Sequence, residues 1–582
     1  MPDTTATIRA LRNSIHPLVP ASATQRIREL FSAPAFAARR DLTREETTRL
    51  VYDQLRTINA EFGPGSDLLA EPSRLFALFA WAGLADPALV FVLLVHYCLA
   101  LASIVDLGGT DESTAGRVRE LDELSSFGCF LITEPRRGSS HIATRTQARY
   151  DPERDEFVLH TPSPVAAKLA SAALPGLPKL GVVLARLTVA GRDRGVFAFA
   201  VPLRDERGPR PGIEISPLPG MPLLAADSCL VTFDHVRVPR SDWLAGGATI
   251  YSDGTTFHDV CADADSRLVR TIAAGSYCWS AQSVALAAAA RACVTIALRY
   301  ASQRTTMGRQ APRVPAITHR NQHRPLLGAL ARAYAITFLA NEAALADAPS
   351  RDGQRSLGGA ATPWSSINRS SALTKALVAR GLEDVADRCR RSYGALGLMT
   401  ANRVLDYQML GHAFHAAGGD GQLILLDTAR ALVAGQSPQP PSPPEDGPEP
   451  GSLLDPAYLR SLAEAREHRA HQDAAWNEQY DTYLELANAH GAALILAAGL
   501  RAAGKTADPD ASRLLTDLCL LHALESVHES SGRLLANKLL TSSRVLEIPE
   551  AMNTLCDRLL PNVATLIDAF DIPGSLLGDL SL

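Results

Sequence analysis

No two of the nine cysteines form a CxxC pair; Cys98, Cys129, Cys229, Cys261, Cys278, Cys293, Cys389, Cys519 and Cys556 are scattered. That excludes a zinc ribbon, argues against a disulfide frame, and fits reduced thiols. The opening MPDTTATIRALRNSIHP holds no apolar run of the secretory kind. Basic residues are not in excess: 57 Lys and Arg against 62 Asp and Glu leave a net charge of −5. With no basic stripe, nucleic acid is not expected as a partner. There is no P-loop, no GxGxxG after a strand, no GxSxG elbow and no HExxH. The acids Asp253, Asp259, Asp263 and Asp265 come without the glycine and terminal glutamate of a calcium loop. They read as a solvated loop, and no metal site is expected.

What is present is a long globular chain. Its 582 residues exceed one hydrophobic core, so several domains are expected. Residues 1–125 read as an N-terminal helical domain, with TREETTRLVYDQLRTINAEF apolar at helical spacing. Within it, ALVFVLLVHYCLALASIV (Ala88–Val105) approaches the length of a membrane span. Because His96 and Tyr97 sit at its centre, a buried helix is expected and no membrane span.

From 126 the period changes. Short β-rich runs such as EFVLHT, LGVVLARLTV and GVFAFAVPL alternate with turn residues, giving a β domain over 126–245. Helix returns over 265–435, where four long apolar helices predict a bundle. A Pro-rich linker over 436–455 leads to a C-terminal helical domain, 456–582. The fold class is therefore mainly α with a central β domain.

One motif carries chemistry. The strand FGCFLITE exits into TEPRRGSS, a turn whose N–H groups and hydroxyls suit a flat heteroaromatic ring or a phosphate. It is followed in order by YDPERDEFVLHTPS, VTFDHVRVPRSDWL, ALRYASQRTTMG, YGALGL, AAWNEQY and LIDAFDIPGSLLG, and preceded by EPSRLFALFAWAGLADPAL. In this series the chain resembles the acyl-CoA oxidases of the acyl-CoA dehydrogenase superfamily. The extra C-terminal helical domain favours the oxidase branch. The resemblance implies the family fold: an N-terminal helical domain, a β-barrel-like domain, a four-helix bundle and the added helical domain.

The resemblance also implies FAD, extended between β domain and bundle and held in part by the other protomer of a homodimer. Thr133, Gly138 and Ser139 then lie by the flavin ring, Ser139 also by the acyl thioester, and Lys168–Ser171 flanks the ring. Arg304, with Thr306 beside it, corresponds to the arginine that crosses to the pyrophosphate, a task suited to its fork of donors. Its alternative role is to complement the helix dipole. His323 stands where a glutamine is common, and Arg391 and Gly394 stand in RSYGA where Gln-x-Phe-Gly-Gly is usual.

The family's base is a glutamate opening a loop just before a helix. Aligned on QLILLDTARAL, that position is Gly418, in AAGGDGQL. Asp420 and Gln422 fall at flavin-contacting positions. Asp420 reads either as a displaced base or as an N-cap. A second base position used by some relatives is Cys278, either a thiolate or a core cysteine. Trp279 beside it replaces an arginine and would fill space near the acyl pocket.

The expected activity is oxidation of an acyl thioester, carried on CoA or an acyl carrier protein in specialised biosynthesis, with electrons passed to molecular oxygen by a site without the usual glutamate. The alternatives are a flavin monooxygenase on the same fold and a non-catalytic partner subunit. The ending GDLSL is not of the SKL type, so a cytoplasmic location is expected.

Overall fold

The computed structural model describes residues 4–39, 42–220, 224–307, 312–348, 364–399, 402–436, 451–476 and 480–578. Most of the expected Pro-rich linker, 437–450, lies outside the described residues, as do the last residue of SQRTTMG and three of AAWNEQY.

The N-terminal helices show how local signals set boundaries. Arg44–Phe62 opens with a capping box, Thr43 and Glu46 each satisfying the other's backbone N–H, and closes at Gly63 with φ 89°. Asp86 caps the apolar run by accepting from Ala88 N at 2.7 Å. That run is not one uniform helix. Leu94–Leu101 winds as a π-helix between Pro87–Leu93 and Ala102–Leu107. His96 and Tyr97 are buried in it, and His96 Nδ1 accepts from Gly128 N at 3.0 Å. Burial pushes the His96 imidazole down to about 3, so it stays neutral and can accept.

The β domain begins at Gly128's strand. Its ten strands are β1 (Phe127–Leu131), β2 (Gln147–Asp151), β3 (Glu156–His160), β4 (Lys168–Ser171), β5 (Lys179–Val189), β6 (Arg192–Arg204), β7 (Ile213–Pro217), β8 (Ser228–Phe233), β9 (Val236–Pro239) and β10 (Trp243–Leu244). The main sheet runs β10-β6-β5-β2-β3-β9, with β1 also parallel to β5; β4-β8-β7 forms a second, antiparallel sheet. Aromatic and β-branched residues of both sheets, among them Phe157, Phe197, Phe199 and Val231, make one core. β10 adds to β6 within the expected range, and strand structure extends past its end at 245 in a short pair, Thr249–Ile250 with Phe257–His258. The acidic segment is consumed locally: Asp253 accepts from Thr255 N and Thr256 N, Asp259 pairs with Arg267, and Asp263 caps Ala264–Ala273.

The bundle helices are Tyr277–Gln303, Arg320–Asp347, Arg369–Tyr393 and Gly421–Val433, with Val404–Ala416 leading into the glycine loop. Alanine makes the first of these narrow enough to be buried over nearly its whole length. The C-terminal helices pack on this bundle; Gly499 and Gly491 permit close approach to Cys519 and Leu377. All nine cysteines are free thiols.

Candidate active site

The strand exit after β1 is built on a buried acid. Glu134 Oε1 accepts from Arg145 N (2.8 Å) and Thr146 N (2.9 Å), and Lys168 Nζ lies 3.3 Å away. Burial opposes the Glu134 charge, but the bonds from Thr146, Lys168 and Arg145 hold its carboxyl below the usual range. Leu169 N donates to Thr133 O at 2.9 Å, tying the exit to β4. Thr133 is therefore positioned from two sides, while Gly138 and Ser139, the latter at φ 60°, remain exposed at the turn. Lys168 needs correction as a cofactor ligand. It is wholly buried, and its ammonium is spent on Glu134 and on Ile132 O. Ser171 O accepts from Lys179 Nζ at 3.0 Å, and Lys179 in turn pairs with Asp227.

The exit faces the glycine loop across a cavity of about 630 Å³. Ser139, His141 and Ile142 line one side, Asp265, Leu268 and Ile272 another, and Asp420, Leu423 and Ile424 a third; Tyr480 and Tyr483 of the C-terminal domain complete it. The structure thus brings together Ser139 and Asp420, which are far apart in sequence. Burial, with the Lys168 charge second, pushes His141 down to about 4, so this imidazole is neutral at the cavity wall.

The loop itself is gripped from behind. Gly418 and Gly419 have φ 69° and 101°, conformations that glycine adopts without a Cβ penalty. Trp279 Nε1 donates to Gly418 O at 2.9 Å, and Lys375 Nζ donates to Gly419 O at 2.6 Å. Two consecutive carbonyls are therefore fixed by side chains from two bundle helices. Trp279 is buried, so it acts as a clamp on the loop as well as filling space. Lys375 is fully buried, and that burial lowers its ammonium to about 8.

Neither proposed replacement for the missing acid has the form of a base. Asp420 is an N-cap: its Oδ1 accepts from Gln422 N (3.0 Å) and Leu423 N (3.1 Å), opening Gly421–Val433. Cys278 is corrected to a core cysteine. Burial pushes its thiol up to about 12, the opposite of what a thiolate base requires. Gln422 does not reach toward a flavin; its Nε2 donates to Tyr480 Oη.

The other predicted residues gather at the far end of the Tyr277–Gln303 helix. Arg304 ends that helix, exposed, with its guanidinium 5.8 Å from the Tyr300 ring. The Tyr300 and Tyr393 rings pack with centroids 4.0 Å apart, tilted by 32°, and Gly394 turns the chain there at φ 69°. Arg391 is exposed and paired only locally, with Asp387 at 2.7 Å. Thr306 Oγ1 meets His319 Nε2 at 3.0 Å. His323 Nδ1 lies 3.0 Å from Ile317 O, and its Nε2 is buried with no partner among the described residues. An orphaned ring nitrogen, exposed guanidinium groups and an open glycine turn fit a nucleotide end of FAD. The hydroxyls and amides of the strand exit fit its ring.

Two side chains escaped sequence reasoning. Lys375 and Gln282 lie in helical runs where each reads as an ordinary helix residue; only burial against the glycine loop distinguishes them. His160, Asp234 and His235 also converge, their ligand atoms within 4.8 Å of one another where the end of β3 meets the β8–β9 connection.

Comparison with known proteins places this geometry. Residues 281–433 match the family "Acyl-CoA oxidase, C-alpha1 domain", and residues 457–578 match "Acyl-CoA oxidase". The chain is 24% identical over 520 residues to the putative peroxisomal acyl-coenzyme A oxidase 1.2 of Arabidopsis thaliana, covering 81% of this chain and 76% of the relative. It is 24% identical over 531 residues to peroxisomal acyl-coenzyme A oxidase 1 of Mus musculus, covering 84% and 78%. Among solved structures, the acyl-CoA oxidase of Lycopersicon esculentum (tomato) superposes with a TM-score of 0.82 at 22% identity, over 99% of this chain and 92% of that one. Acyl-CoA oxidase-2 of Caenorhabditis elegans, bound with FAD, ascaroside-CoA and ATP, gives 0.79 at 20% identity, over 99% and 91%. The cytoplasmic expectation is overturned here, since these relatives are named peroxisomal. The chain is similar to the acyl-CoA oxidases of the acyl-CoA dehydrogenase superfamily in both family matches and in its fold, and it is an FAD-dependent oxidoreductase of that kind.

Proposed function

We propose that the protein oxidises an acyl thioester whose α-proton needs little help from a base, and that oxygen takes the electrons. The observation carrying this reading is the state of the loop beside the cavity. Gly418 has no side chain, and the Asp420 carboxylate is engaged by two backbone amides. A carboxylate placed at the α-carbon contributes ~10²–10⁴ in rate. Without one, the substrate must bring its own acidity, as a thioester with an electron-withdrawing acyl group does. The Lys375 ammonium under the loop adds positive potential, which favours negative charge developing above it.

Bound FAD supplies the hydride acceptor. Thr133, Gly138 and Ser139 would hold the ring at the strand exit, and Ser139, on the cavity wall, would lie by the thioester. The remaining contacts would come from a second protomer, as the resemblance implies. Trp279 and Arg304 stand at opposite ends of one helix, roughly 37 Å apart at about 1.5 Å per residue. The resemblance to the acyl-CoA oxidases assigns the exposed Arg304 to the FAD pyrophosphate of the other protomer, and its place at the end of the helix remote from Trp279 is compatible with that. The reading therefore includes a homodimer, with an interface above the ~2,000 Å² at which obligate dimers begin.

The test is the product formed under oxygen. Holoenzyme is mixed anaerobically with a panel of acyl-CoAs, then aerated, and peroxide and organic product are quantified. Peroxide in equal yield with an unsaturated acyl product supports the reading. An oxygenated acyl product would make the protein a monooxygenase, and no turnover with any ester would make it a non-catalytic subunit.

A further inference from the structure

Gln282 sits on the inner face of the Tyr277–Gln303 helix, one turn beyond Cys278, and is 1% exposed. Neither its Oε1 nor its Nε2 meets a hydrogen-bond partner among the described residues. Its neighbours on the helix are different. Ser280 Oγ donates to Asp347 at 2.6 Å, Ser283 Oγ to Trp279 O at 2.8 Å, and the Trp279 indole to Gly418 O. The Gln282 amide is also the group nearest to the bare side of Gly418. A Cβ there would lie 2.4 Å from Nε2 and 2.8 Å from Oε1. A polar amide so enclosed costs free energy until something pairs with it.

We propose that Gln282 selects the acyl group, its carboxamide pairing with a hydroxyl, amine or amide substituent on the acyl carbons that lie against Gly418. This rests on the acyl-thioester reading of the site. A carboxamide both donates and accepts, so it matches a substituent that does the same. A plain alkyl chain leaves both amide atoms bare, and sites built to hydrogen-bond a substituent reject analogues without it far more strongly than apolar pockets reject an extra methylene. The same side chain occupies the space that a longer residue at 418 would need, so the bare Gly418 and the Gln282 amide fit each other.

Titration calorimetry under nitrogen tests this on the holoenzyme, using butanoyl-CoA, 2-hydroxybutanoyl-CoA, 3-hydroxybutanoyl-CoA and 3-aminobutanoyl-CoA. At least one polar ester should bind at least about tenfold tighter than butanoyl-CoA, and Gln282→Leu should bring the ratio within about twofold. Gln282→Met, of similar volume, is the second variant; both should keep FAD and melting temperature. Equal affinity for all four esters in the wild type overturns the proposal, because water then pairs with the amide. A preference that survives both variants overturns it as well. Loss of FAD from both variants would make Gln282 a packing residue, and the proposal would fall in that case too. Failure of the underlying reading looks different: no ester binds or bleaches the flavin, and the selectivity falls with it.

Discussion

Gly418 turns its bare α-carbon toward the carboxamide of Gln282, at a backbone φ of 69°. A side chain at 418 therefore meets two obstacles. The left-handed backbone costs a non-glycine residue roughly 1–2 kcal/mol, and its Cβ would displace the Gln282 amide. Gly418→Glu alone is expected to lower the melting temperature and leave desaturation of butanoyl-CoA unimproved. With Gln282→Ala added to make room, stopped-flow bleaching of the flavin should accelerate, by up to the ~10²–10⁴ of a placed base. A gain from the single substitution would mean that the loop is not held as described.

Cys278 should be dispensable. Burial raises its thiol to about 12, so almost no thiolate exists near neutrality. Cys278→Ala is expected to keep turnover within about twofold, the deletion costing packing and no chemistry. Iodoacetamide at pH 8 should leave Cys278 unmodified in the folded protein, as peptide mapping would show. Complete loss of activity with FAD retained would restore the thiolate.

Much of the fold was legible because turns punctuate it. DPERD sits where β2 returns as β3, and GRDRG marks the tight return from β5 to β6, with Ala190 and Gly191 at positive φ. The strand exit and the glycine loop were legible too, as ordered motifs. What stayed hidden was burial. Lys168 reads as a ligand until Glu134 is found beside it, and Gln282 reads as one polar residue in an alanine-rich helix. Neither pattern nor spacing reports which face of a wholly buried helix meets a substrate.

Lys375 makes a pH prediction with a definite sign. Its ammonium sits at about 8 in the fold against an ordinary 10.5, chiefly through burial. Between those values the unfolded chain holds a proton that the folded chain has released, so this residue's contribution to stability rises with pH across the window. Lys168, also at about 8, acts in the same direction. Denaturant melts at pH 7, 8, 9 and 10 should show wild type gaining on Lys375→Met as pH rises. A gap that is flat or shrinks would show that Lys375 is not desolvated.

Arg304 offers the cleanest separation of cofactor from fold. It is exposed and makes no ion pair among the described residues, its guanidinium lying over Tyr300. Arg304→Ala should leave the melting temperature of the apoprotein within about 2 °C, since exposed substitutions cost little. FAD recovered after gel filtration should fall severalfold. Unchanged FAD content would remove Arg304 from the pyrophosphate contact.

The π-helical segment Leu94–Leu101 has an evolutionary reading. A π-bulge is geometrically an α-helix with a residue inserted, kept where it serves a site. Here the widened turn carries His96, whose ring holds Gly128 at the head of β1, and β1 leads directly to the strand exit. A one-residue deletion inside this segment would let the helix rewind as α with both flanks still in phase. Such a protein would be a shorter helix folded correctly around a strand that has lost its anchor. The insertion thus works as a spacer, fixing how far the strand exit stands from the N-terminal helices.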